Sequence, residues 1–380
     1  MPLYNTLDRE HLLERIESES FERITLSFYR YVRLGEADAL RDRMFAEWEA
    51  MGILGRIYLS QEGVNAQISI PTPNFRSFKD WMNSFTPFRA MDLKIAVEDD
   101  RFSFVKLKIK VREKIVADGL DDRAFDVTDV GRHLSAREWN DAMDDPSAVI
   151  VDMRNSYESE VGHFEKALLP QAVTFRDELP EVLQLLEGKQ DKKILLYCTG
   201  GVRCEKASAF LRHHGFEDVN QLNGGIIHYA RQAAEEGLPV RFRGKNFVFD
   251  DRLGERITSE VVSTCHQCGA PCDDHTNCAH QGCHVLFIQC PSCAARMDAC
   301  CSEECKQILS LPEAEQAAIR KAQPLKDVQT LYRPVICFFQ NLFDERNPIG
   351  NCVRPWMESS ASSSPITAAN LNPCPLNPQA

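Results

Sequence analysis

One short segment limits the fold of this chain more than any other: Lys193 to Ser208, KILLYCTGGVRCEKAS. Ile194 to Tyr197 form an uninterrupted apolar run, the mark of a strand buried on both faces of a parallel sheet. The run delivers Cys198 to its carboxyl end. Gly200 and Gly201 then allow a tight turn that residues with side chains resist. Cys204 to Gly215 read as the following helix, with Gly215 as its stop. Amides of such a turn, at a helix N-terminus, can converge on an anion, and Arg203 adds a fixed positive charge. Each favours the thiolate, the nucleophilic form of cysteine, so Cys198 and Arg203 are the candidate catalytic pair. The plainer alternative is a buried structural cysteine beside a glycine turn. Loop length separates two chemistries. A cysteine phosphatase cradle needs C-x5-R, whereas Arg203 closes C-x4-R, a smaller ring suited to a sulfane sulfur carried on cysteine. Cys204 is either a second thiol that resolves a persulfide or disulfide on Cys198, or a bystander at the helix start.

Strands and helices alternate on both sides of this segment. AVIVDMR reads as a buried strand, ELPEVLQLLEG as a helix, and DVNQLNGG followed by IHYARQAAEEG as the closing strand and helix. This is a doubly wound α/β pattern, in which ligands sit beyond the carboxyl ends of the strands. Val151 to Phe164 resembles the D-x-R…E…G-H segment of rhodanese domains, and LNGGIIHYA (222–230) resembles the segment near their end. Residues 123–240 are therefore expected to form a connector and a rhodanese-like domain, with Ser135 capping a helix in the connector. Asp152 and Arg154 are expected to support the loop through ion pairs and hydrogen bonds, together with Gly200 and Gly201. A plain strand-end cap is the alternative for Asp152.

Residues 1–122 read as a smaller α/β unit. ITLSFYRYV (24–32) has strand composition, and DALRDRMFAEWEAMG (38–52) places Leu40, Met44, Phe45 and Trp48 on one helical side. RIYLS and NAQISI are joined at Gln61 to Gly63. A second helix is expected from Asn74 to Asn83, and VKLKIKV (105–111) alternates as a strand. Strands and helices in that order predict a ferredoxin-like sandwich. Lys106, Lys108 and Lys110 share one strand face, and Arg112 and Lys114 extend the row, which can track nucleic-acid phosphates. An edge strand kept soluble by lysines reads the same way. Arg241, Arg243 and Lys245 form a second basic group, and His133 beside Arg132 is a fainter sign.

Ten of the 15 cysteines lie between Cys265 and Cys305. In reducing cytosol such a cluster means metal or thiol chemistry rather than disulfides. Cys265-x2-Cys268 and Cys290-x2-Cys293, with 21 residues between them, have zinc-ribbon spacing for a structural zinc site. Cys272, Cys278, Cys283, Cys300, Cys301 and Cys305 leave room for a second site whose ligands the spacing does not assign. Residues 241–330 are thus expected to form a Cys-rich, zinc-binding module, with unligated thiols in a packed module or disulfides formed on oxidation as the alternatives, and with little helical periodicity before Leu311. Residues 331–380 are an extension ending in a Ser/Pro/Asn-rich tail of disordered composition.

A chain of 380 residues exceeds one core and implies two or three domains. A net charge of -12 excludes a uniformly basic surface but not a local basic groove. No apolar run approaches the roughly 18 residues that cross a bilayer. The polar, acidic start MPLYNTLDREHLLERIESES has no signal-peptide pattern, so the cytoplasm is the expected compartment and no membrane partner is expected. No flavin, haem or nicotinamide motif appears; no G-x-G-x-x-G follows a strand.

Taken together, YLSQEGVNAQIS, KLKIKVREKIV, CTGGVRCEKAS, CHQCGAPCDDHTNC and CCSEEC occur in an order that resembles the bacterial rhodanese-containing tRNA uridine(34) hydroxylase family, over roughly residues 5 to 320. The resemblance implies tRNA as substrate, molecular oxygen as co-substrate and 5-hydroxyuridine at the wobble position as product. It also implies that Cys198 is the family's reactive cysteine, described as a persulfide intermediate. The residues alone support a second activity directly: a sulfurtransferase that receives sulfane sulfur from a donor and passes it to a thiol. A zinc-bearing RNA-binding scaffold is a third reading. The oligomeric state is not legible in the sequence.

Overall fold

In a computed structural model of the chain, the described residues are 9–98, 102–121 and 124–322. The tail expected at 331–380 lies outside them.

The first layer begins with helix α1 (Arg9–Glu17), followed by β1 (Arg23–Tyr31), α2 (Ala37–Ala50), β2 (Leu54–Ser60), β3 (Gly63–Pro71), α3 (Phe75–Ser84) and β4 (Lys94–Ile95). With β5 (Leu107–Val111) they make a sheet of order β4-β1-β3-β2-β5. The first four strands have the ferredoxin-like order expected from the sequence, and β5 adds in parallel beside β2. The strand period of two divides the sheet into faces. Leu26, Phe28, Ile57, Leu59, Ile68 and Ile109 pack under Met44, Phe45 and Trp48 of α2 and Phe78 and Trp81 of α3. The opposite face carries Ser27, Tyr29, Arg56, Tyr58, Asn65 and Gln67. Ser27 stands opposite Gln67 and Tyr29 opposite Asn65. Among the described residues, α2 and α3 leave that face uncovered; Leu12, Leu13 and Ile16 of α1 pack against Leu54 at its edge, and the rest is turned toward the second domain.

The second domain runs β6 (Arg132–Leu134), α4 (Ala136–Met143), β7 (Val149–Asp152), α5 (Ser156–Ser159), β8 (Gly162–Phe164), α6 (Phe175–Leu185), β9 (Lys193–Tyr197), α7 (Val202–His213), β10 (Asp218–Leu222) and α8 (Gly225–Glu236). Ser135 caps α4 in a capping box with Glu138. A parallel sheet of order β6-β10-β9-β7 is covered on both faces. Ile194, Leu196 and Cys198 point toward Phe175, Leu179 and Val182 of α6 and Ala207 and Leu211 of α7. Leu195 and Tyr197 point toward Trp139 of α4 and Ile226 and Tyr229 of α8. Cys198 is thus one more member of the alternation that buries β9.

The third part begins with β11 (Phe242–Asn246), which pairs antiparallel with β8 and with β12 (Glu255–Arg256) and so stitches this part to the second domain. A hairpin of β13 (His275–Asn277) and β14 (Leu286–Ile288) follows, then α9 (Pro291–Met297), α10 (Glu303–Leu309) and α11 (Glu313–Ala322). Helices α9 and α10 lie where the sequence shows little helical periodicity. Each has seven residues, too few to show an amphipathic period. They start on local signals instead: Pro291 at the first position, and Ser302 accepting a hydrogen bond from the Cys305 amide.

Candidate active site

Cys198 leaves the end of β9 and is buried. The Gly201 amide donates to its Sγ at 3.1 Å. Burial pushes the thiol up, but the Cys204 thiol, the Arg203 guanidinium and the amides of Cys204 and Arg203 outweigh it and bring Cys198 down to about 6. Cys204 moves the other way: burial, and then its bond to Cys198, raise it well above the ordinary range. The pair therefore shares one proton, held on Cys204, and Cys198 is the ionised partner.

Two glycines shape this cradle. Gly201 has φ of 99°, and a Cβ there would lie 2.7 Å from the Tyr29 hydroxyl. Gly225 has φ of 68°, and a Cβ there would lie 2.5 Å from the Cys198 carbonyl oxygen. With that space open, the amides of Ile226 and Ile227 donate to the carbonyls of Cys198 and Thr199. The N-terminus of α8 thus fixes the loop from beneath, which accounts physically for the LNGG string.

Arg203 makes two parallel bonds to Glu158, at 2.6 and 2.8 Å. Asp152 and Arg154 bind each other, at 2.8 and 2.6 Å, and Arg154 also donates to the Gly162 carbonyl at 2.6 Å. They tie the end of β7 to the start of β8, while the direct contact to the loop arginine comes from Glu158. Glu158→Gln takes the counter-charge from a buried guanidinium and should cost about 3–5 kcal/mol, measured as a lower midpoint of thermal or urea unfolding. Glu178 on α6 is buried, and neither of its oxygens has a hydrogen-bond partner among the described residues. Burial raises its carboxyl well above the usual range, against the opposing charge of Arg203.

Above Cys198 lies a cavity of about 490 Å³, a size suited to one small ligand. One wall is the Cys198–Arg203 loop with Asn155 and Tyr157. The other is the open sheet face, with Ser27, Tyr29, Arg56, Tyr58, Asn65 and Gln67; Phe249 and Arg252 close one side. The walls are locked together. Tyr29 donates to Glu205 at 3.1 Å, Tyr31 to the Val202 carbonyl at 3.3 Å, and Lys206 pairs with Glu62 at 2.9 Å. A hollow of 670 Å³ near Glu36, Gln61 and Arg112 has no thiol or imidazole in its lining.

Residues 23–115 match the family described as UPF0176 acylphosphatase like domain, residues 135–232 the rhodanese-like domain, and residues 243–306 the rhodanase C-terminal family. Solved structures include the Alr3790 protein from Anabaena, 25% identical over 29% of this chain and 91% of its own, with a TM-score of 0.24. A protein of Cronobacter sakazakii named tRNA uridine(34) hydroxylase is 55% identical, over 83% of this chain and 90% of its own. One of Leptospira interrogans with the same name is 58% identical, over 85% of this chain and 88% of its own. The chain belongs to the tRNA uridine(34) hydroxylase family.

In this member of the family Lys108 and Lys110 sit on β5, at the sheet edge, with Lys106 just before the strand and Arg112 and Lys114 after it. Lys106 and Lys108 are exposed and Lys110 is half-buried. Lys108 lies beside Arg56 in the parallel pairing, so the row and the cavity share one sheet face. Crowding by Lys110, then burial, Lys106 and Arg56 lower the Lys108 ammonium, the sign of a locally positive surface. Arg112 is exposed. Lys114 turns inward, to Asp118 at 2.7 Å and the Leu120 carbonyl at 2.6 Å. The second basic group is neutralised: Arg241 pairs with Asp144, Arg243 with Glu260 at 3.0 Å, and Lys245 with Asp274 at 2.8 Å. These partners are remote in sequence, so the string RFRGK could not show them.

Cys265, Cys268, Cys290 and Cys293 come together, and so do Cys278, Cys283, Cys301 and Cys305. In each group every sulfur lies within 4.8 Å of the others. The Cys268–Cys290, Cys283–Cys301 and Cys301–Cys305 sulfurs are 3.7, 3.6 and 3.7 Å apart. A disulfide needs about 2.05 Å, whereas the edge of a tetrahedron with metal–sulfur bonds of about 2.3 Å is about 3.8 Å. Both groups fit a four-coordinate metal ion. Burial raises the Cys265 thiol, but the amides of Cys290, Gln267 and Cys268 bring it down to about 6, while burial and the neighbouring thiols push Cys293 up to about 12.

Nothing in the sequence singles out Tyr29, Glu205 or Glu178, and Glu158 and Gly225 stand there only inside motifs. Glu158 had a local signal: Asn155 to Glu158 has capping-box spacing, and the Asn155 amide does donate to Glu158 at 3.1 Å. Tyr29 and Glu178 had none, since their importance comes from packing across the chain.

Proposed function

We propose that this chain hydroxylates C5 of uridine 34 in tRNA, with molecular oxygen as co-substrate and Cys198 as the nucleophile. The observation that carries the reading is the cavity itself. An ionised, buried thiolate forms one wall, and the other is a polar and aromatic sheet face continuous with a lysine row. The family membership points the same way. Such a cavity accepts a base taken out of the anticodon stack, while the lysines hold the adjoining phosphates.

Addition of Cys198 Sγ to uracil C6 breaks the C5–C6 π bond and moves its electron pair onto C5, where the C4 carbonyl stabilises it as an enolate. C5 takes one oxygen atom from O2. The other leaves as water, with two electrons and two protons from an external reductant. Loss of the C5 proton and expulsion of Sγ restore the ring. A persulfide on Cys198 would place its outer sulfur in the same role. Each four-cysteine group holds a structural zinc and takes no part in the reaction. The cytoplasm, where free thiols persist, is the compartment.

The deciding measurement is nucleoside mass spectrometry of tRNA from a strain lacking this gene, grown with and without oxygen and complemented with the chain. The expected result is 5-hydroxyuridine restored only with oxygen. The loop geometry also favours a second reading, sulfur transfer through a Cys198 persulfide supplied by a sulfur donor. Thiosulfate-dependent turnover with unchanged tRNA nucleosides would select it. Lys106→Glu, Lys108→Glu and Lys110→Glu combined should weaken tRNA binding and reduce the salt slope of log K by roughly 2 to 3. A titration across salt with the wild-type slope removes the row from the interface.

A further inference from the structure

The sheet wall of the cavity contains two amides whose orientation is fixed. Asn65 Nδ2 donates to the Ile115 backbone carbonyl at 3.2 Å, and Asn65 Oδ1 accepts from Gln67 Nε2 at 2.7 Å. A backbone carbonyl can only accept, so the Asn65 amide cannot be flipped without losing its bond. That fixes Gln67 as well, because its nitrogen must face Asn65. Gln67 Oε1 is then left as an acceptor, and it takes no hydrogen bond among the described residues. Gln67 lines the cavity together with Cys198. The placement also suits a base. Ser27, the cross-strand neighbour of Gln67, lies 3.9 Å from where a Gly200 Cβ would stand. Gln67 is one strand further on, about 4.8 Å. The loop that carries Cys198 therefore lies against the strand next to Gln67, and both line one cavity.

We infer that Gln67, oriented by Asn65 and the Ile115 carbonyl, is the residue that selects uracil over cytosine in this cavity, by accepting a hydrogen bond from uracil N3–H. This rests on the reading of the site as a uridine pocket. Uracil presents a hydrogen at N3, whereas cytosine presents a lone pair. A fixed acceptor rewards the first and faces the second with an unpaired oxygen. An amide free to rotate would not discriminate, so the anchoring of Asn65 is part of the device. Gln67 is a specificity residue; it has no part in ionising Cys198.

The test uses the full chain and two anticodon stem-loop RNAs that differ only in U34 or C34. Affinity is read by fluorescence anisotropy, and product by nucleoside mass spectrometry. The wild type should bind the U34 RNA roughly tenfold tighter than the C34 RNA. Gln67→Met, close in shape and without the acceptor, should bring the two affinities together. Asn65→Ala, which frees the Gln67 amide to turn, should narrow the ratio in the same direction. In Gln67→Met the unfolding midpoint and the rate of Cys198 alkylation serve as controls and should not move. Equal wild-type affinities, or a wild-type ratio retained in Gln67→Met, overturn the inference even if 5-hydroxyuridine forms. A ratio that collapses in Gln67→Met while the wild type makes no 5-hydroxyuridine upholds this inference and removes the hydroxylase reading.

Discussion

Cys198→Ser is expected to lower 5-hydroxyuridine formation by on the order of a thousandfold or more, because a hydroxyl of ordinary acidity replaces a thiolate as the attacking group. The same sulfur carries a pH signature. Its alkylation by iodoacetamide should rise with pH and level off above a midpoint of about 6. Cys204→Ala removes the thiol that donates to Cys198, and the midpoint should climb back toward 9.0. If Cys204 acted as a resolving thiol instead, the midpoint would stay while turnover came to depend on added reductant. Stability follows by linkage. The folded pKa lies below the unfolded one, so the ionised sulfur stabilises the fold fully above the unfolded value. That contribution is lost as pH falls through about 6. Cys198→Ser should abolish this part of the pH dependence of unfolding. A serine variant with wild-type turnover would take the thiolate out of the mechanism.

What the sequence displays, and what it hides, divides along a physical line. Local and periodic features were legible. The apolar run into Cys198 predicts a buried strand, and Ile194, Leu196 and Cys198 do share one buried side. Leu40, Met44, Phe45 and Trp48 predict a helix face, and they sit together in the first core. The two C-x2-C knuckles mark four sulfurs that meet. The second set did not stand out, because Cys278, Cys283, Cys301 and Cys305 have no repeated spacing and are united only by the hairpin and α10. The lysine row was legible as a row, but not its relation to the cavity, which depends on β5 pairing beside Arg56. Charge pairing between distant segments was invisible. Glu260 cancels Arg243 across 17 positions and Glu62 meets Lys206 across 144. Whether a basic string is a nucleic-acid surface or a set of closed ion pairs depends on such partners, and composition does not reveal them.

Metal removal should have the largest effect on the fold. The third part has small cores, and cysteines make up much of them: Cys265, Cys272 and Cys293 pack with Val161, Phe247 and Ile288, and Cys278, Cys283, Cys300 and Cys305 with Val285 and Phe287. Without an ion, each group would crowd four thiols that repel when ionised and hydrogen-bond weakly when protonated. A structural zinc contributes about 10–16 kcal/mol in small zinc-dependent folds, far above what these cores supply. Metal analysis should therefore find two zinc ions per chain. Cys268→Ser with Cys290→Ser should remove one, and Cys283→Ser with Cys301→Ser the other. Each double variant should unfold at least about 10 °C lower than the wild type, since even a few kcal/mol moves a midpoint that far. The damage should reach the active site. Tyr157 and Phe247 pack on the first group's core, Phe249 lies over Arg203, and His266 bonds Glu160 at 2.8 Å, two residues beyond Glu158. Loss of the first ion should then slow 5-hydroxyuridine formation more than loss of the second, whose core is farther from these contacts in the chain. A chelated protein that keeps its unfolding midpoint would show that the thiols stand packed without metal.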